Sequence, residues 1–146
     1  MIYWDTSALV KLYTWESDSE TFVELLANSS DPVCSSIVTY VEVLCAAYRK
    51  EQAGDLHRGC AAAVAARFAA DSKRGSILAV PCGEDVIQRA RRIVHTSSRR
   101  TRPVMIRSLD AVHVASAWVM GAESIVSTDA RLRQVAAWTG LRPWPK

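Results

Sequence analysis

The sequence predicts an α/β domain with a mostly parallel central sheet and helices on both faces. Short strand-like apolar runs alternate with helical periodicities along the whole chain, the signature of repeated βα units. A length of 146 residues suits one domain, 1–146, with a substantial core. No internal repeat, low-complexity tract or linker interrupts it.

The elements follow in order. IYW (2–4) reads as a short buried strand. SALVKLYTWES and SETFVELLANS have helical apolar spacing, with Phe22, Leu25 and Leu26 on one face. Asp31-Pro32 punctuates, and VCSS (33–36) reads as a second strand. SIVTYVEVLCAAYRKEQAG reads as a strong helix, with Ile37, Val41, Leu44 and Tyr48 on one stripe and Gly54 just past its end. An Ala-rich helix is expected over 55–74, a strand over 77–82, a helix in EDVIQRARRIVHTS and a loop over 98–106. The last third reads as helix 108–120, a Gly121 stop, strand SIVS, helix 129–139, a Gly140 stop and a short strand LRPW.

Composition excludes several classes. At 49% hydrophobic and 23% charged, the chain is that of an ordered globular protein. No apolar run is long enough to cross a membrane, and the first residues lack the pattern of a secretory signal, so a cytoplasmic location and no membrane partner are expected. Cys34, Cys45, Cys60 and Cys82 have no zinc-ligand spacing and are expected as reduced core thiols.

The net charge of +3 is unevenly spread. Residues 1–31 hold one base, Lys11, against Asp5, Glu16, Asp18, Glu20, Glu24 and Asp31. Between Val86 and Leu109 stand Arg89, Arg91, Arg92, Arg99, Arg100, Arg102 and Arg107, with no acid. Such a block meets phosphates or an acidic partner, or is simply a solvated face. Arg99, Arg100, Arg102 and Arg107 are the candidate phosphate contacts.

Four carboxylates deserve a joint reading. In an open parallel sheet, ligands sit beyond the carboxyl ends of the strands. Asp5 follows IYW and Asp129 follows SIVST, which would bring both to one edge. Each is also a favoured helix N-cap. Glu42 lies mid-helix among apolar neighbours, at the margin of a solvent stripe of Thr39, Arg49 and Lys50. Asp110 falls in the first turn of a largely apolar helix if Ser108 caps it, where the helix dipole favours an acid. One hypothesis covers all four: an acidic cluster. Such carboxylates repel unless a cation neutralises them, and oxygen-only ligands favour a hard ion such as Mg²⁺ or Mn²⁺.

DTSALVKLY (5–13), SSIVTYVEVL with Glu42, LDAVHVASAWVMGA (109–122) and STD (127–129) followed by RLRQVAAWTGL together resemble the PIN domain, and more narrowly the VapC-type toxins. The resemblance runs in order along essentially the whole chain. It implies a three-layer α/β/α sandwich and an Mg²⁺- or Mn²⁺-dependent endoribonuclease, the toxin of a type II toxin–antitoxin pair, cutting RNA phosphodiesters with a metal-activated water. It implies that Asp5, Glu42, Asp110 and Asp129 hold the metal, that Thr128 or Ser127 assists, and that the partners are RNA, a cognate antitoxin and a second copy in a homodimer. The chain departs from the pattern at SRRTRPVMIRS, where many relatives carry a Gly-containing segment; this bears on the RNA target.

Rival chemistries find less support. A phosphoaspartate enzyme wants a second acid where Ser7 stands, no G-x-S-x-G turn is present, and no Gly-rich phosphate loop exists. His113 reads as a core residue. The rival from another class is a catalytically inert PIN-like module that binds RNA or protein.

Overall fold

The computed structural model describes residues 1–145. Five strands form one parallel sheet: β1 (Ile2–Trp4), β2 (Val33–Ser36), β3 (Ile77–Val80), β4 (Ser124–Val126) and β5 (Arg142–Trp144). Their order is β3-β2-β1-β4-β5, so β1 is central. The helices are α1 (Thr6–Leu9), α2 (Ser19–Ala27), α3 (Thr39–Ala53), α4 (Cys60–Lys73), α5 (Glu84–Ser98), α6 (Ser108–Val119) and α7 (Ala130–Trp138). They flank the sheet on both faces, giving the expected α/β/α architecture.

Strand alternation divides the core. Tyr3 and Ile125 point into one cluster with α5, α6 and α7; Trp4 and Val126 point into the other with α1, α3 and α4. Both strands are therefore apolar on both faces, as central parallel strands must be. Burying side chains of this size contributes about 1.5–3 kcal/mol each.

Four expectations need correction. The first helical stretch stops early: one α turn passes into a 3₁₀ turn, Val10–Leu12, and the chain bends before α2. Lys11, only 8% exposed, draws that bend around itself by bonding Glu16 and Asp18, both at 2.6 Å. The Ala-rich helix begins only at Cys60, after Gly59 with φ 89°. The α3 stripe is inverted. Ile37, Val41, Leu44 and Tyr48 are exposed, whereas Thr39, Val43 and Ala47 are fully buried. These smaller residues let α3 approach Ala61, Val64 and Phe68 of α4. Leu25 and Leu26 are half-buried beside the buried Phe22. Gly54, in the left-handed region at φ 85°, ends α3 as expected. The four cysteines are free, but only Cys34 is buried; the others are not core thiols.

Candidate active site

All strands run the same way, so their carboxyl ends form one edge, and the acids gather there. Asp5 leaves β1 still within the ladder, its N–H donating to Val126 O at 3.0 Å. Its side chain caps α1 by accepting from Ala8 N at 3.1 Å. It also accepts from Ser7 Oγ and Ser127 Oγ, each at 2.7 Å. The carboxyl is buried, and burial pushes its pKa up; His113, Ser127, Ser7 and Ala8 offset only part of that rise. The Asp5 cap and its place at the site are thus both real.

Asp129 likewise caps its helix, accepting at Oδ1 from Arg131 N and Leu132 N at 2.9 and 3.0 Å. Its Oδ2 stays free of the cap and accepts from Arg107 Nη2 at 2.7 Å. Arg107 Nε donates to Asp110 Oδ2 at 2.8 Å, so one guanidinium bridges two acids from different segments. Asp110 does lie in the first turn of α6, but Arg107, not Ser108, occupies the cap position.

Glu42 does not point to a solvent stripe. Its Oε2 accepts from Thr6 Oγ1 at 2.5 Å and meets His113 Nε2 at 2.6 Å. His113 Nδ1 lies 2.7 Å from the Tyr3 hydroxyl. Burial pushes the Tyr3 pKa up, so the phenol keeps its proton and donates to Nδ1. The Nε2 proton is then left to donate to Glu42. Burial alone would push the Glu42 carboxyl up, but the bonds from His113 and Thr6 outweigh it and leave a net lowering. His113 is thus the residue that sequence reasoning missed: it positions Glu42 from the core. Its spacing of three from Asp110, on one helix face, was the available signal.

Asp5, Glu42 and Asp110 line one cavity of about 860 Å³ together with Thr6, Arg107 and Thr128. Asp129 stands at its rim, tied in through Arg107. Exposed Thr128 faces the cavity and its N–H donates to Ser7 Oγ at 2.9 Å. The donor set, carboxylate oxygens only, fits a hard divalent ion. Each acid is nonetheless turned to a protein donor, and no three potential ligands converge within ligating reach among the described residues.

The candidate RNA-binding arginines are not gathered. Arg107 is at the site. Arg99, Arg100 and Arg102 lie in the segment between α5 and α6 and do not line the acid cavity. Arg100 stacks over Trp138, 4.1 Å from its ring centre, as Arg89 stacks over Trp118.

A family model for the PIN domain matches residues 2–137. No match was found among curated proteins. The fold is similar to that of Mycobacterium tuberculosis VapC20, a sarcin–ricin loop cleaving toxin, at 19% identity and TM-score 0.74 over 98% of this chain and 100% of that one. It is similar to a chain of VapBC2 from Rickettsia felis, solved with promoter DNA, at 13% identity and TM-score 0.62 over 98% and 97%. A chain of a toxin–antitoxin complex from Klebsiella pneumoniae matches at 16% identity and TM-score 0.57 over 91% and 90%. With its parallel sheet, its acids at the carboxyl edge and a family match over nearly its whole length, this chain belongs to the PIN-domain family.

Proposed function

We propose that this protein is a divalent-metal-dependent endoribonuclease, the toxin of a type II toxin–antitoxin pair. One observation carries the reading: in a PIN-domain chain, Asp5, Glu42 and Asp110 line one cavity at the carboxyl edge of the sheet, with Asp129 joined to it through Arg107.

Asp5 and Asp110 hold the ion, with Glu42 and Asp129 completing its surroundings. A bound Mg²⁺ or Mn²⁺ supplies charge neutralisation for the phosphodiester and acidifies the attacking water. Glu42, fixed by His113 and Thr6, orients that water for in-line attack on phosphorus. Thr128 lies where it can steady the same water. The water oxygen would bond to phosphorus as the P–O3′ bond breaks, the water would give its proton to solvent, and the 3′ oxygen would take one from solvent, leaving a 5′-phosphate and a 3′-hydroxyl. Arg107 meets a phosphate beside the site. Arg99, Arg100 and Arg102 contact phosphates of the same RNA outside the acid cavity.

The partner surface is the inverted stripe of α3. Val41 and Tyr48 are exposed and also line the acid cavity, and Trp15 is 77% exposed. Aromatic, apolar surface of this kind is what interfaces cover. A cognate antitoxin bound there lies against the site; a homodimer is the second use of exposed apolar surface.

A non-cleaving PIN module that binds RNA or protein is favoured by the lack of three converging acids among the described residues. One assay decides. Mixed RNA incubated with Mg²⁺ or Mn²⁺ is expected to be cut, with EDTA abolishing the reaction. Asp5→Asn should slow it by on the order of 10² or more, the scale for losing a major electrostatic group. Cleavage that ignores both EDTA and Asp5→Asn overturns the metal site, and no cleavage in any condition establishes the inert module.

A further inference from the structure

Arg107 is 66% exposed, yet it is fastened at two points: Nε to Asp110 and Nη2 to Asp129. These are two of the four acids assigned to the metal. The other two are satisfied differently, Asp5 by hydroxyl and backbone donors and Glu42 by Thr6 and His113. Of these four acids, only Asp110 and Asp129 are bridged by an exposed cation. A guanidinium presents several donors in a planar fork, and each of its two bonds here is charge-assisted.

We propose that Arg107 is an internal competitor of the divalent ion, occupying Asp110 and Asp129 until the metal displaces it. The inference rests on the metal-dependent reading above and says what sets the site's affinity. It also accounts for acids that share a cavity without converging: the charge that should separate them is already neutralised. The exchange is feasible because the guanidinium is exposed and can leave into water, although Asp110 and Asp129 are only 13% and 23% exposed. A divalent ion meets both carboxylates with twice the charge. A buried arginine in the same place would be structural; this one is exchangeable. Its neighbour in sequence, Ser108, begins α6, so the swing requires side-chain rotation and not unfolding of the helix.

The test is a calorimetric titration of Mn²⁺ into metal-free protein, with no RNA present. Wild type, Arg107→Ala, Arg107→Lys and Asp110→Asn are compared, each first checked for a native melting transition. Arg107→Ala should bind Mn²⁺ about tenfold tighter, equivalent to about 1.4 kcal/mol. Arg107→Lys keeps the charge and, like Lys11, can bond two acids at once, so its affinity should lie between those of wild type and the alanine variant. Equal Mn²⁺ affinity in wild type and Arg107→Ala overturns the competitor while leaving the metal site intact, provided Asp110→Asn weakens binding. Mn²⁺ binding by Arg107→Ala but not wild type supports it in its strongest form. Absence of binding in every variant overturns both the competitor and the metal reading.

Discussion

Two cations in this molecule each sit between two acids, and they differ in one respect. Lys11 bonds Glu16 and Asp18 while 8% exposed; Arg107 bonds Asp110 and Asp129 while 66% exposed. Both line the same cavity. Lys11 is itself buried: Glu16 is shared with Lys50 at 2.8 Å, and the Lys11 ammonium lies 5.6 Å from the centre of the buried Phe22 ring. Arg107 is the reverse, an exposed cation on acids that are 13% and 23% exposed. The same pairing of charges therefore makes an anchor where the cation is buried and a removable counter-ion where the cation is exposed.

Breaking the anchor should have the larger effect on stability. Lys11→Met keeps the stem but removes the charge from beneath Glu16 and Asp18, and should cost about 2–3 kcal/mol. Melting curves check it; an unchanged Tm would mean that the buried cation does no more than a surface pair.

Acid should open the same set from the other side. Burial pushes the Glu16 carboxyl up, but bonds from Lys11 and Lys50 outweigh it and lower it overall. A carboxyl lowered in the folded protein binds fewer protons there than in the unfolded chain. Its contribution is present above the unfolded value, about 4.3, and is lost as pH falls through the folded one. Glu16→Gln should thus melt below wild type at pH 7 by about 1 kcal/mol, with the gap closing below about pH 4. A gap independent of pH would assign the loss to shape and not charge.

The smallest effect belongs to the exposed cation. Arg107→Ala should change the stability of the metal-free protein by under about 1 kcal/mol, because an exposed guanidinium is solvent-screened. A loss as large as that of Lys11→Met would erase the distinction between the two cations.

The contrast also separates what was legible in the sequence from what was not. Asp5 and Asp129 were legible because strand ends in a parallel sheet share an edge. Each caps its helix and also lies at the carboxyl edge, so the cap does not remove it from the candidate site. The inverted α3 stripe was not legible. Periodicity located two faces, one of large apolar residues and one with Thr39, Val43 and Ala47. Which face is buried depends on how closely α4 approaches, and that is a tertiary matter. The Glu42–His113–Tyr3 chain joins residues 71 and 110 positions apart, beyond any local pattern. Arg107 was legible in part: three residues before Asp110, it had ion-pair spacing, but it was counted with the arginine block. The repulsion expected among the acids is relieved by that side chain.

The central position of β1 has a consequence for how the molecule comes to exist. Asp5 emerges early in synthesis, but its partner Ser127 lies 122 positions later, and β4 pairs beside β1 only then. Contacts across such separations form late, after local helices and after the β1–β2 pair. A nascent chain that has not reached Asp129 lacks one of the two acids that Arg107 bridges. The cleavage proposed above would therefore be absent from any shorter nascent chain and would begin only with closure of the sheet.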